Sequence, residues 1–373
     1  MELPLQEVLK VVRRVLLAYS GGLVNSVAIH WLRTVKRLRV VTFSADLGEP
    51  TDLEALAEQA LAIGAEAAHI ADLREELLTD FAFPTLQASA IYEGRYLLST
   101  ALSRPLIARQ MVRIAREEGC DRLGHGADGK SNDQVRYESA ISALAPDLDV
   151  MAPRLEWPFQ THAEIIAYAD KHGLAVPPDD RLHSPFTRDQ NIWGMRTSGG
   201  PLENPAVEPP HDVFRLTKDP IDAPETPYDL SLEFEQGLPV AMDGKRLGPL
   251  AMVEALNKIG GEHGVGRVDH IENRLFGTKV RDVYEAPAAT ILYAAKISLE
   301  KMTLGPRAAH AVPRFSQEFA DLTYHGHWFT ALRESLSAFF SHLMQDVVGT
   351  VRVRLYKGRV DVIGLESPTS LYR

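Results

Sequence analysis

The first 150 residues alternate short apolar runs with segments of helical periodicity, and this alternation constrains the fold more than any other feature. Apolar runs lie at 11–18, 38–45, 67–70 and 148–152, and helical patterns at 51–64 and 96–119. Proline lacks the N–H that a helix interior uses, so the second helix should be interrupted near Pro105. Strands that alternate with such helices form βαβ units with a mostly parallel sheet. The sequence therefore predicts an α/β domain, which we place at residues 1–175.

The pattern changes after about residue 175, where seven prolines lie between positions 177 and 210. Such a stretch, with little periodicity, is typical of a linker or of a long functional loop. Beyond it, short strands are predicted at 230–234 and 239–242, and a helix at 250–259 that ends at Gly260. A hairpin is predicted at 350–364, with its turn at Lys357 and Gly358. These mixed elements predict a second, α+β domain at residues 176–373.

Composition excludes several classes of protein. The chain has 40 lysines and arginines against 50 aspartates and glutamates, a net charge of -10, whereas nucleic-acid binders usually carry a basic surplus. No apolar run approaches the roughly 18–20 residues that a membrane span needs. Cys120 is the single cysteine, so no internal disulfide can form. We expect a cytoplasmic enzyme that binds neither nucleic acid nor membrane.

The strongest local signal is the string AYSGGLVNS at residues 18–26, where an apolar strand runs into two glycines and then a helix. Glycines allow an anion to approach the backbone closely, and a helix N-terminus presents free N–H groups and partial positive charge to it. Ser20, Asn25 and Ser26 add side-chain donors. The pattern indicates an anion-binding loop, although a plain strand–helix turn with a capping serine remains the alternative.

A second polar cluster follows the next predicted strand, in the string GHGADGKSNDQVRYE at residues 124–138. Such a density of donors and charges suits a site that holds phosphate and amino-acid head groups together. A solvated turn at the start of a helix is the alternative. No histidine–carboxylate spacing resembles a metal site, so we predict no metal ligands from the protein.

Taken together, the strings AYSGGL, YEGRYLL, RPLIAR, HGADGKSNDQVRYE, HGVGRVD, ENR, VYE and LYKGRVDVIGLESPTSLYR resemble the argininosuccinate synthase family. The resemblance extends from about residue 15 to residue 373. It implies a PP-loop (adenine nucleotide hydrolase-like) domain with a parallel sheet, followed by an α+β synthetase domain. It also implies a homo-oligomer, a dimer or a tetramer.

The family's chemistry is the ATP-dependent joining of citrulline and aspartate, with release of AMP and pyrophosphate. Attack of the ureido oxygen on the α-phosphorus forms an adenylate, and an amine then displaces AMP. Positioning and stabilisation of phosphate charge carry such a reaction, so no nucleophile from the protein is needed. The implied cofactors are ATP and the Mg²⁺ that ATP brings with it.

The resemblance also implies site residues, position by position. The ATP-site positions are Ala18, Tyr19, Ser20, Gly21, Gly22, Asn25, Ser26, Ala45 and Gly126. The substrate positions are Tyr96, Asp128, Asn132, Asp133, Arg136, Thr187, Arg196, Glu272 and Tyr284. We assign Lys130 and Asp133 to positioning or to stabilisation of the transition state.

Several positions depart from the family's pattern. Val24 and Asn25 replace an aspartate and a threonine of SGGLDTS, and Asp128 replaces a threonine that meets the aspartate substrate. A second carboxylate there should repel aspartate. Ser131 replaces a glycine, and Arg196 and Thr187 stand where the family has serines that contact citrulline.

Three hypotheses follow from these departures. The first, which we take as primary, is an active ligase whose substrates differ from citrulline and aspartate, because the changes cluster in the ATP loop and in both amino-acid pockets. The second is ordinary argininosuccinate synthase activity. The third is a non-catalytic paralogue that binds a nucleotide or a partner.

Overall fold

The first part of the fold is a five-stranded parallel sheet with the order β3-β2-β1-β4-β5. The computed structural model describes residues 13–129, 131–174 and 184–372. The strands are β1 (Arg14–Ala18), β2 (Arg39–Asp46), β3 (Ala67–Asp72), β4 (Arg122–Gly124) and β5 (Asp149–Met151). The helices are α1 (Leu23–Thr34), α2 (Leu53–Ile63), α3 (Arg74–Leu77), α4 (Phe83–Gln87), α5 (Ser99–Glu118), α6 (Asn132–Leu144), α7 (Pro153–Glu156) and α8 (His162–Lys171).

The sheet is buried on both faces, which is why β1 is apolar at successive positions. Val15 and Leu17 pack on one face with α1 and α8, and Leu16 packs on the other face with α5. The strand order reverses between β1 and β4, so a crevice opens beyond the carboxyl ends of these two strands. The predicted α/β class with a parallel sheet is confirmed.

Helix α5 continues through Pro105 without the predicted interruption. Eleven of its 20 residues are buried, Pro105 among them, and this packing outweighs the missing backbone hydrogen bond. A π-helical turn, Leu78–Ala82, joins α3 to α4.

The second part contains two antiparallel sheets with the orders β10-β9-β8-β13-β14 and β11-β12-β7-β6. The strands are β6 (Thr187–Asn191), β7 (Gly194–Ser198), β8 (Tyr228–Glu235), β9 (Leu238–Met242), β10 (Lys245–Arg246), β11 (Arg267–Asn273), β12 (Lys279–Glu285), β13 (Gly349–Tyr356) and β14 (Arg359–Glu366). The helices are α9 (Pro249–Glu262), α10 (Pro287–Thr303), α11 (Pro306–Tyr324) and α12 (Ala331–Leu343), with 3₁₀ turns at Gly200–Glu203, His211–Val213 and Met344–Asp346.

Two sequence predictions for this part need correction. Helix α9 extends past Gly260 to Glu262. A Cβ added at Gly260 would lie 2.9 Å from the Ile291 Cδ1 and Pro287 Cβ atoms of α10, so a larger residue would not fit there. The glycine therefore allows close helix packing and does not end the helix. The proline-rich stretch also contains the β6–β7 hairpin, so it is more than a linker or loop.

The two parts share one hydrophobic core. It runs from Leu16 and Phe43 in the parallel sheet through Leu102 of α5 to Leu299 and Val353 in the second part. Our boundary between residues 175 and 176 lies in the stretch 175–183, outside the described residues, and stays a prediction. Among the described helices, none is long and apolar enough to cross a membrane.

Gly326 allows the end of α11 in the second part to pack closely against α6 in the first. Its φ is +82°, and an added Cβ would lie 2.7 Å from the Cα of Arg136. Gly277 has a similar φ of +76° with open space around it, so it is a matched control. We expect Gly326→Ala to lower the free energy of unfolding by at least about 1 kcal/mol more than Gly277→Ala, since overpacking adds about 1–3 kcal/mol. Denaturant titrations measure both free energies of unfolding. An equal decrease for the two variants would contradict close contact between Gly326 and α6.

Candidate functional site

A cavity of about 610 Å³ opens at the carboxyl ends of β1 and β4, in the crevice that the strand order creates. Six of the nine predicted ATP positions line it. They are Ala18, Tyr19, Ser20, Asn25, Ala45 and Gly126. We call this cavity the nucleotide cavity.

The loop after β1 presents a helix N-terminus without a side-chain cap. Gly21 has a φ of +79°, and Gly22 occupies the N-cap position of α1 with no side-chain hydrogen bond to the first turn. The hydroxyl of Ser26 is buried, lies 3.2 Å from the Tyr19 hydroxyl and donates to the Gly21 carbonyl. Gly21, Gly22 and Ser26 therefore shape the loop from behind, and the partial positive charge at the N-terminus of α1 favours an anion beside it.

Asn25 connects this loop to the one that follows β4. Its Nδ2 donates to the Ser20 hydroxyl at 3.0 Å, and its buried Oδ1 has no hydrogen-bond partner among the described residues. Gly126 lies against that amide so closely that a Cβ there would overlap it. Val24, in contrast, packs against the apolar layer beneath the loop and does not line the cavity.

A second pocket lies beside the nucleotide cavity and holds most of the predicted substrate positions. These are Tyr96, Asn132, Asp133, Arg136, Arg196, Glu272 and Tyr284. The pocket is narrow, with an empty volume of about 320 Å³ that includes its opening to solvent. We call it the acceptor pocket.

Glu272 is buried in the wall of the acceptor pocket. The hydroxyls of Tyr284 and Tyr324 each donate to its carboxylate at 2.6 Å. Burial and the nearby Asp282 raise the pKa of Glu272, while the two tyrosine hydrogen bonds oppose that shift. Tyr324 also accepts a hydrogen bond from Asn132 at 2.8 Å, so one hydroxyl connects two predicted substrate positions.

Asp133 lies where the two cavities meet and receives two arginines. Arg104 of α5 and Arg136 of α6 each donate to it at 2.9 Å. Burial alone would raise the pKa of Asp133, but the two guanidinium groups hold it well below the usual value. Arg104 also contacts Asp189 of β6, which connects the parallel sheet to the second part.

Three predicted positions lie elsewhere. Asp128 lines neither cavity; its side chain is 59% exposed and pairs with Arg154 at 2.5 Å. Thr187 lines the nucleotide cavity and not the acceptor pocket. Lys130 lies outside the described residues, and its role stays a prediction. Ser131 caps α6 by accepting from the Gln134 N–H at 3.2 Å.

Sequence reasoning assigned no role to several side chains that complete the site, although it singled out Arg104 and Arg274 as parts of polar strings. They are Arg104, Asp189, Arg274, Asp282 and Tyr324. Arg104 was visible in the string RPLIAR but had no assigned role. Tyr324 lies at the end of a long helix, where nothing in the local sequence distinguishes it from a core residue. Within residues 13–129, 131–174 and 184–372, no group of three or more His, Cys, Asp or Glu side chains could hold a metal ion.

Comparison with known proteins matches the chain over nearly its whole length. A model of the arginosuccinate synthase N-terminal HUP domain matches residues 14–175, and a model of the arginosuccinate synthase C-terminal domain matches residues 186–373.

Three curated relatives are similar to nearly the whole chain. Argininosuccinate synthase of Desulfitobacterium hafniense (strain DSM 10664 / DCB-2) is 46% identical over 361 residues, covering 96% of this chain and 89% of that protein. Argininosuccinate synthase of Symbiobacterium thermophilum is 47% identical over 361 residues, with 96% and 89% covered. Argininosuccinate synthase 1 of Rhizobium johnstonii is 45% identical over 361 residues, with 97% and 90% covered.

These matches extend through both parts of the fold and through both cavities. They indicate an ATP-dependent ligase. The chain belongs to the argininosuccinate synthase family.

Proposed function

We propose that this chain joins citrulline to aspartate in arginine biosynthesis, with release of AMP and pyrophosphate. The relatives carry the name argininosuccinate synthase and give no support to altered substrates, which was our primary hypothesis from the sequence. We therefore replace the hypothesis of altered substrates by the pair citrulline and aspartate.

The observation that carries this proposal is the shared wall of the two cavities. Asp133 and Arg196 line both the nucleotide cavity and the acceptor pocket. An acceptor held beside Glu272 and Tyr284 would therefore meet the phosphates of ATP at that wall. Adenylation requires this proximity, because the acceptor oxygen must reach the α-phosphorus in line with the leaving pyrophosphate.

In the reaction, the ureido oxygen forms a bond to the α-phosphorus and the bond to pyrophosphate breaks. The aspartate amine then attacks the ureido carbon, loses a proton and displaces AMP. The uncapped N-terminus of α1 would stabilise phosphate charge, and Lys130 would add a cation. Asp133, kept ionised by Arg104 and Arg136, would orient the ureido nitrogens at the shared wall.

Asp128 need not repel the aspartate donor. Its carboxylate is mostly exposed and pairs with Arg154, so its charge is compensated and screened. The repulsion of about 4 kcal/mol expected for two carboxylates about 4 Å apart at an effective dielectric of 20 would therefore not apply.

Mg²⁺ would enter with ATP and neutralise phosphate charge. A homo-oligomer, a dimer or a tetramer, and a cytoplasmic location are further parts of this proposal, carried over from the sequence.

The direct test uses the purified full chain with ATP, Mg²⁺, citrulline and aspartate. We expect pyrophosphate release over many turnovers only when ATP, citrulline and aspartate are all present, and argininosuccinate as the product by mass spectrometry. Activity with another amine in place of aspartate, or with another acceptor in place of citrulline, would show altered substrates. Absence of turnover with any pair would contradict the assignment as a ligase.

A second prediction concerns Asp128. Because Arg154 already compensates its charge, Asp128→Thr should change the KM for aspartate by less than about threefold, whereas Arg154→Gln should raise it by leaving the Asp128 charge uncompensated. Steady-state kinetics with varied aspartate checks both variants. A tenfold or larger gain in aspartate affinity for Asp128→Thr would restore the altered-donor hypothesis.

A third prediction compares two stacked tyrosines whose ring centroids lie 3.6 Å apart. Tyr324→Phe removes a donor to Glu272 and an acceptor for Asn132, so the KM for the acceptor should rise about tenfold, as expected for a lost hydrogen bond to a charged group. Tyr92→Phe is the matched control, since its hydroxyl donates to the Asn273 carbonyl outside the pocket. An equal rise in the KM for the acceptor in both variants would show that acceptor binding depends on the stacked rings and not on the Tyr324 hydroxyl.

A further inference from the structure

Among the described residues, Arg196 is the one cationic side chain that lines both cavities. It lies on β7, directly opposite Tyr284 of β12 in the antiparallel pairing, so the sheet fixes its backbone at the wall of the acceptor pocket. In the family's pattern a serine that contacts the acceptor stands here, and a hydroxyl offers one neutral hydrogen bond where a guanidinium offers five donors.

One edge of the Arg196 guanidinium is held by a buried carboxylate. Nε donates to Asp282 Oδ2 at 2.9 Å and Nη2 donates to Oδ1 at 3.2 Å, while Nη2 also reaches the Ser198 hydroxyl at 3.3 Å. Asp282 is completely buried, so this two-point contact is shielded from water.

The opposite corner of the guanidinium remains available. A guanidinium is planar and trigonal, so Nη1 points away from the edge formed by Nε and Nη2. Among the described residues, none accepts a hydrogen bond from Nη1, whereas the other two nitrogens are both engaged. Its two N–H groups are therefore directed away from Asp282, within a wall that faces both cavities.

The carboxylates near this corner are engaged by other side chains. Asp282 is shared with a second guanidinium, that of Arg274, whose Nη2 lies 3.7 Å from Oδ2. Asp133 receives Arg104 and Arg136, and Glu272 accepts from two tyrosine hydroxyls. None of these three carboxylates therefore accepts a hydrogen bond from Nη1 of Arg196.

We propose that Nη1 of Arg196 binds an oxyanion of the substrates at the junction of the two cavities. This inference rests on the proposed function, which supplies two anions of the same hydrogen-bonding chemistry. They are the α-phosphate of the nucleotide and the carboxylate of the acceptor. Asp282 is a positioning residue in this arrangement, because it fixes the plane of the guanidinium and keeps it at the wall.

Binding measurements separate the two sources without requiring turnover. Calorimetry on the full chain compares AMP with adenosine, and citrulline with its neutral carboxamide. The first variant is Arg196→Lys, which keeps a positive charge beside Asp282. Its compact ammonium group has a single nitrogen, so it cannot contact Asp282 and also present a second nitrogen on the opposite side. The second is the double variant Arg196→Gln with Asp282→Asn, which removes both charges of the pair together and leaves Arg274, whose side chain is 24% exposed, in contact with water.

The matched control is an exposed arginine pair of the same form. In it, Arg354 Nε and Nη2 each lie 2.7 Å from an oxygen of Asp229. Arg354→Gln with Asp229→Asn should leave all four affinities unchanged. Thermal unfolding of each variant shows that the fold is retained.

If the α-phosphate is the ligand, both Arg196 variants should lose tenfold or more in affinity for AMP and none for adenosine. If the acceptor carboxylate is the ligand, citrulline should lose tenfold or more and its carboxamide should not. Unchanged affinity of folded variants for both anions would overturn the proposal. A wild-type chain that binds AMP through Arg196 but makes no argininosuccinate would contradict the proposed function and leave this inference standing.

Discussion

The carboxylate of Asp133 receives one arginine from α5 and another from α6, and the same Arg104 continues to Asp189 of β6. This partly buried chain of alternating charges joins the parallel sheet to the β6–β7 hairpin of the second part. A carboxylate withdrawn from water is costly unless it is paired and hydrogen-bonded. Both cavities share a wall at this point, so their relative position depends on these contacts.

The acceptor pocket depends on a second buried network, in which Tyr324 connects Glu272 to Asn132. Tyr324 belongs to α11, and its backbone carbonyl accepts from Arg136, so the end of that helix contributes both a side chain and a main-chain group. Gly326 lies two residues after Tyr324 and allows the end of α11 to approach α6 closely. The acceptor pocket therefore forms only where the two parts of the fold pack against each other.

The departures from the family's pattern have local physical explanations in the structure. Ser131 caps α6, Val24 joins the apolar layer under the phosphate loop, and Asp128 pairs with Arg154 at the surface. None of these three requires a different substrate. Arg196 differs from them because its partner Asp282 is buried and its remaining nitrogen has no described acceptor, which is why it alone among these positions carries a proposal about ligands.

The sequence by itself determined the parallel sheet, the SGG loop between β1 and α1, and the hairpin at residues 349–366, because strand periodicity, glycine turns and helix starts are local signals. It also identified most of the residues that line the two cavities through the resemblance to a family. It did not reveal that α5 runs through Pro105 or that α9 runs through Gly260, since tertiary packing overrides local propensity there. Tertiary structure alone decided that Tyr324 meets Glu272, that Arg104 bridges Asp133 and Asp189, and that Asp128 lies beside Arg154. These partners are from 26 to 85 residues apart along the chain, and only the folded packing of the two parts brings their charges and hydroxyls within hydrogen-bond distance.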